Sequence, residues 1–252
     1  APVAIDGETL VAGSTEASVS GRDFQGAAYV FVRSGSTWSE QAKLTGSDGA
    51  AMDFFGMGLA IQADTLAVGA ELADVGAETD QGAVYIFKRT GTSWSQQAKL
   101  VGLDSDREDN FGRSVFMSGS TLIVGARNAA VSGRSQQGAA YLFVESGGTW
   151  TQQAKLTASD GQAADTFGDY VSIDGDRAAV FASRAGTGAT GEGGIYIFER
   201  SGTSWSEVEK VTVLMFDPGK PGQPLVSGML EKVRALVEQR RATGLNFTIE
   251  VD

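Results

Sequence analysis

The chain contains no cysteine and no histidine. Together these absences remove disulfides and every zinc site built on thiolate or imidazole. They also remove Ser-His and Cys-His nucleophile pairs, so acid-base work would fall to Asp, Glu, Lys or Tyr. Without cysteine, the compartment cannot be read from redox chemistry. Proline is scarce, 4 in 252 residues, while glycine is plentiful at 34. That balance suits short strands joined by tight turns. No stretch approaches the ~20 apolar residues of a membrane-spanning helix. Basic charge is in deficit too: 20 Lys and Arg against 31 Asp and Glu give a formal net charge of −11. Such a field repels a phosphate backbone and an anionic membrane surface alike, so neither nucleic acid nor lipid is a favoured partner.

What the chain has in quantity is a repeat. Trp38, Trp94, Trp150 and Trp205 fall at intervals of 56, 56 and 55 residues, and Tyr29, Tyr85, Tyr141 and Tyr196 keep the same step. A locked period near 50 residues points to propeller blades. Each copy reads as four short strands; in the second they are expected near Leu59–Ile61, Thr65–Val68, Ala83–Lys88 and Ser93–Lys99. Ala83, Val84, Tyr85, Ile86 and Phe87 are apolar on both alternating faces, as in a strand covered on both sides by stacked sheets. The apolar runs are too short, and too rich in Val, Ile, Tyr and Phe between Gly turns, for helices. The predicted fold class is therefore mainly β. The repeated Trp side chains are expected to wedge between neighbouring blades, a sugar-binding surface being the alternative.

The residues that carry a family resemblance are Phe55-Gly56, Phe111-Gly112 and Phe167-Gly168, each followed by Val68-Gly69-Ala70, Val124-Gly125-Ala126 or Val180-Phe181-Ala182. Gln81–Tyr85 and Gln97–Leu100 match in the flanks. Residues 1–211 resemble the FG-GAP repeats of integrin α-subunit propellers and other extracellular proteins. The resemblance implies a β-propeller with a binding role, outside the cell or at its surface. Aligning Val3 with Leu59 sets Ala1 opposite Met57, so the chain is expected to enter part-way through a blade. An open arc of four blades is expected from this, with a small closed ring as the alternative.

Calcium-binding FG-GAP repeats carry an Asp-rich loop before the Gly-Ala strand. The matching positions are Gln62-Ala63-Asp64, Ser118-Gly119-Ser120 and Asp174-Gly175-Asp176, which leave little of an oxygen cage. Other carboxylates recur before each Phe-Gly: Asp48 and Asp53; Asp104, Asp106 and Asp109; Asp160 and Asp165. Asp104, Asp106 and Asp109 could together hold a weakly bound calcium, and hydrogen-bonded turns are the plainer reading. The repeats themselves require no cofactor. The linkers Ser14 to Gln25, Ala70 to Gln81, Ala126 to Gln137 and Ala182 to Glu192 vary most between copies, from acidic (Glu71, Asp74, Glu78, Asp80) to basic (Arg127, Arg134). Loops that vary on a constant scaffold suit recognition, so a protein or carbohydrate ligand is expected there.

Residues 212–252 depart from the repeat. An unbroken strand is expected through Thr212–Phe216, a helix within about Pro224–Thr243, and a second strand at Leu245–Val251, forming one β-α-β unit. Asp217-Pro218-Gly219-Lys220-Pro221-Gly222-Gln223, Met229–Arg234 and Ile249-Glu250-Val251-Asp252 resemble ribulose-phosphate 3-epimerase, a TIM barrel. That resemblance implies a fragment of an isomerase of cytoplasmic or plastid carbohydrate metabolism. By it, Asp252 stands where the family's acid/base and metal-binding aspartate stands, and Gly219, Gly222 and Gln223 lie in the substrate loop. The resemblance would bring a divalent metal, which the family holds with two His, and this chain has none. A non-catalytic binding module is therefore the first functional expectation, an incomplete epimerase the second, and a fusion of unrelated pieces the third. A coupled assay of ribulose 5-phosphate with added divalent metal is expected to show no turnover above background. Turnover abolished by Asp252→Asn would overturn this.

Overall fold

The computed structural model of the chain describes residues 2–185 and 192–214. Among these there is no helix, and sixteen strands form four antiparallel sheets of four. Blade one is β1 (Val3–Asp6), β2 (Thr9–Ser14), β3 (Ala27–Ser34) and β4 (Thr37–Leu44). Blade two is β5 (Phe55–Gln62), β6 (Thr65–Ala70), β7 (Ala83–Thr90) and β8 (Ser93–Leu100). Blade three is β9 (Phe111–Ser118), β10 (Thr121–Ala126), β11 (Ala139–Ser146) and β12 (Thr149–Leu156). Blade four is β13 (Phe167–Asp174), β14 (Arg177–Ala182), β15 (Glu192–Ser201) and β16 (Ser204–Leu214). Each sheet is a simple meander, and all sixteen strands lie in one compact unit, Ala1–Met215.

The sequence pattern explains the order of strands within a blade. Ala83–Phe87 of β7 is buried without a break, because the sheets of blades one and three cover its two faces. Ser93–Ala98 of β8 alternates between exposed and half-buried, as an outermost strand should. Meanders of this kind put two-residue hairpins at one end of the blade and the longer connections at the other.

Three apolar clusters fill the spaces between blades one and two, two and three, and three and four. At the centre of each is an aromatic trio. Phe55, Phe111 and Phe167 lie 5.4, 5.4 and 5.3 Å from Tyr85, Tyr141 and Tyr196, and 6.1, 5.9 and 6.0 Å from Phe87, Phe143 and Phe198. All nine rings are essentially buried, and their tilted or edge-on contacts are the favoured aromatic geometry. Among the described residues, extensive contacts between sheets join successive blades.

Glycine sets how closely the blades approach. A Cβ on Gly69 or Gly125 would collide with the carbonyl oxygen of Gly112 or Gly168 in the next blade. The Gly-Ala of one blade and the Phe-Gly of the next are thus two halves of one backbone contact. In blade four the same position is Phe181, whose ring lies 6.2 Å from that of the exposed Tyr170.

Three details differ from the sequence expectation. The strand expected near Leu59–Ile61 begins earlier and takes in Phe-Gly: Phe55 pairs with Ala70 and Phe111 with Ala126, past a bulge that lets the pairing resume at Leu59 and Val115. The Trp side chains are less buried than a wedge requires. Trp94, Trp150 and Trp205 sit on the outermost strands, half-buried at the margins of the three inter-blade clusters, while Trp38 packs against none and is 40% exposed. The strand expected at Thr212–Phe216 as the start of a separate unit begins as part of blade four. The β16 ladder runs on to Leu214, which pairs with Glu192. The helix within Pro224–Thr243, the strand Leu245–Val251, and Gly219, Gly222, Gln223 and Asp252 lie outside the described residues.

The hairpins between first and second strands test one backbone rule. Gly7, Gly119 and Gly175 occupy the first turn position at φ of 54°, 59° and 55°, and Ala63 occupies it in blade two at 50°. This left-handed region disfavours any residue with a Cβ. Ala63→Gly is therefore expected to stabilise the fold by about 1 kcal/mol, read as a rise in thermal midpoint. An unchanged or lower midpoint would show that the turn carries no strain.

Candidate functional site

The end of the blades opposite the hairpins carries the variable loops. In blades one to three the loop closes on the next strand through a small hairpin of its own. Val19 bridges Arg22, Val75 bridges Glu78, and Val131 bridges Arg134. The loop then runs beside the link to the following blade. In blade two, Glu108 donates its N–H to Thr79 C=O at 3.0 Å, Asn110 to Asp80 at 3.3 Å and Phe111 to Gln81 at 2.9 Å. The same ladder recurs as Met52 to Asp23, Phe54 to Phe24 and Phe55 to Gln25, and as Ala164 to Ser135, Thr166 to Gln136 and Phe167 to Gln137. Three loops of different sequence thus share one backbone. Arg22, Glu78 and Arg134 close these small hairpins at equivalent positions, and an acidic loop stands beside a basic one.

The recurring carboxylates stand at this end, and each already has a partner. Asp48 accepts hydrogen bonds from the Tyr85 hydroxyl at 2.8 Å and Lys99 Nζ at 2.7 Å. Asp160 accepts from Tyr196 at 2.9 Å and Lys210 at 2.6 Å, and Asp104 from Lys155 at 2.7 Å. Asp53, Asp109 and Asp165 each accept the N–H three residues back, from Ala50, Asp106 and Gln162 at 2.7, 2.8 and 2.7 Å. These are the turn bonds that Asp favours. The Asp106 carboxylate turns to the Arg107 N–H at 2.8 Å. Asp104, Asp106 and Asp109 are therefore not gathered round one point. Among the described residues no three acidic or other ligating side chains converge as a metal cage.

Charge and burial shift these groups in opposite directions. Burial raises the Asp48 and Asp104 carboxyls, but Lys99 with Tyr85, and Lys155, outweigh it and leave both below the ordinary value. Asp160 is lowered chiefly by its hydrogen bond from Lys210. Burial raises Asp53 and Asp109, and burial with the nearby Asp160 pushes the Tyr196 phenol up to about 12.

The opposite, hairpin end shows a second recurring arrangement, which no single sequence motif marks. Arg89 lies over the ring of Trp94, 5.2 Å from its centroid. It donates to its own blade's Asp64 at 2.7 Å and to Thr9 of the preceding blade at 2.9 Å. Trp94 Nε1 donates across the same seam to Gln41 Oε1 at 2.9 Å. Arg200 repeats this between blades three and four. It lies 5.5 Å from the Trp205 centroid, with Asp176 at 2.6 Å and Thr121 at 3.5 Å, and Trp205 donates to Gln153 at 3.0 Å. Asp64 and Asp176, considered as remnants of a calcium loop, are thus ion-paired to these arginines. The signal lay in the repeat columns: Arg33, Arg89, Glu145 and Arg200 in one, Glu8, Asp64, Ser120 and Asp176 in the other. The third copy breaks both.

The acid response of Asp48 is a direct check on the loop-end geometry. A carboxyl lowered in the folded state stabilises the fold above the unfolded value of about 3.9, and that contribution is lost as pH falls through the lower, folded value. The thermal midpoint of Asp48→Asn is therefore expected to fall short of wild type at about pH 6–7, with the gap closing below about pH 4. A gap independent of pH would show that the carboxylate's charge plays no part.

Comparison with known protein families agrees with this architecture. The FG-GAP repeat model matches residues 38–87, 94–143 and 150–198, each span running from the outermost strand of one blade into the third strand of the next. Residues 212–252, for which the sequence resemblance implied an epimerase fragment, lie beyond these matches, and no family match supports that expectation. With three successive matches over more than half of its length, the chain belongs to the FG-GAP repeat family.

Proposed function

We propose that the chain is a non-catalytic interaction module that engages its ligand through the loop end of the blades. The observation that carries this reading is the recurrence of one loop backbone under different side chains. Val19–Arg22, Val75–Glu78 and Val131–Arg134 present a positive, a negative and a positive tip in succession on a rigid support. Surfaces of this kind bind by shape and charge and need no reacting group. The recurring carboxylates, the obvious catalytic candidates, already hold Lys, Tyr and backbone partners. A protein or carbohydrate at the surface of a cell or outside it is the expected ligand. Among the described residues, no helix is long and apolar enough to cross a membrane.

Arrays of purified extracellular protein domains and of glycans, probed with the whole chain, provide the test. The double substitution Glu78→Arg with Arg134→Glu exchanges the tip charges and leaves the cores untouched. It is expected to weaken the selected interaction at least about tenfold, with little change in thermal midpoint. An interaction indifferent to that exchange would remove the loop end as the binding surface.

A further inference from the structure

The seam between blades two and three lacks the arginine latch of its two neighbours, and a cleft of about 410 Å³ stands in its place. Glu145 occupies the position of Arg89 and Arg200, and Ser120 that of Asp64 and Asp176. Glu145 folds back to accept the Gly148 N–H at 2.6 Å. The Trp–Gln bridge is lost with the latch. Gln97, the counterpart of Gln41 and Gln153, donates within its own strand to Ser95 Oγ at 2.9 Å. Trp150, Glu145, Ser120, Gln62, Thr65 and Gln97 line the opening. Gln62 Oε1 is buried beside the cleft with no hydrogen-bond partner among the described residues.

We propose that this cleft is a binding site for an arginine side chain of a partner polypeptide. In the two intact seams a guanidinium lies on a Trp face, pairs with a carboxylate and donates to a threonine of the preceding blade. The third seam keeps the Trp face (Trp150), carries a carboxylate (Glu145) at the position of the arginine itself, and lacks the guanidinium. Arginine satisfies this set better than lysine because its planar fork stacks on an indole while donating along its edge to several acceptors. Lys88, which lines the same cleft, donates to Thr65 Oγ1 at 2.8 Å, so the Glu145 carboxylate is the acceptor left for the incoming group. The chain's net charge of −11 favours the approach of a basic segment. The cleft is at the hairpin end, away from the variable loops, so the outcome here is independent of the loop-end reading.

The test uses the whole chain and three capped tripeptides, Gly-X-Gly with X as arginine, lysine or citrulline, followed by calorimetry and by the indole N–H signal of Trp150. The arginine peptide is expected to bind at least about tenfold more tightly than the isosteric but neutral citrulline peptide, and to move the Trp150 signal. Glu145→Gln should weaken it at least about fivefold. The double substitution Ser120→Asp with Glu145→Arg rebuilds the missing latch in cis. It should abolish binding and raise the thermal midpoint, so loss of binding cannot be put down to unfolding. Equal affinity for the arginine and citrulline peptides, or undiminished binding by the latch-restored double variant, would overturn the proposal. So would preferential binding of maltotriose at Trp150, which would make the cleft a carbohydrate site.

Discussion

The structure depends on backbone meeting backbone between blades. Gly69 and Gly125 leave room for the carbonyl of Gly112 and Gly168, and that contact fixes the distance at which everything else must pack. Once the sheets stand this close, Phe111 has only one place to go, against Tyr141 and Phe143, and Phe167 likewise against Tyr196 and Phe198. Ridges of aromatic side chain then interlock as in any close-packed interior, where an added methylene is felt. The repeated motif is therefore a joint between successive blades, half of it contributed by each. This also accounts for the family matches, each of which begins in one blade and finishes in the next.

Along a seam, the joint is reinforced differently at its two ends. At the loop end, Asp48, Asp104 and Asp160 hold lysines that themselves sit over the rings of Tyr85, Tyr141 and Tyr196. At the hairpin end, an arginine over a tryptophan does comparable work in two seams and is missing from the third. Exposed ion pairs such as these contribute little individually. Their effect is on position: they hold the outermost strands, which have a sheet neighbour on one side only. Where they are replaced, as by Glu145 and Ser120, the inner core stays closed and only the margin opens.

Much of this could be read from the residues alone, because local chemistry and the repeat agree. The Tyr and Trp columns gave the period, the Gly turns gave the hairpins, and Ala83–Phe87 gave the strand buried on both faces. What escaped had long-range causes. Phe55 joins its strand only because Ala70 pairs with it across the bulge. Trp94 looks like a core residue by size, yet it lies on an outermost strand that neighbours cover only in part. Asp48 looks like a free ligand until Lys99, 51 residues later, is seen to occupy it. The broken latch lay in plain view, and required comparing the same position in all four copies.

Phe181 gives the series a direction. In blades two and three the corresponding glycine presents bare backbone to the blade that follows, whereas blade four presents a benzyl group at the same spot. A further unit with the same Phe-Gly edge would drive its glycine carbonyl into that ring. Stacking in this chain is thus polar, in the sense in which a filament has unlike ends: the face beyond blade four refuses the interlocking that every earlier blade accepts, and a surface laid against it must be shaped to an aromatic side chain.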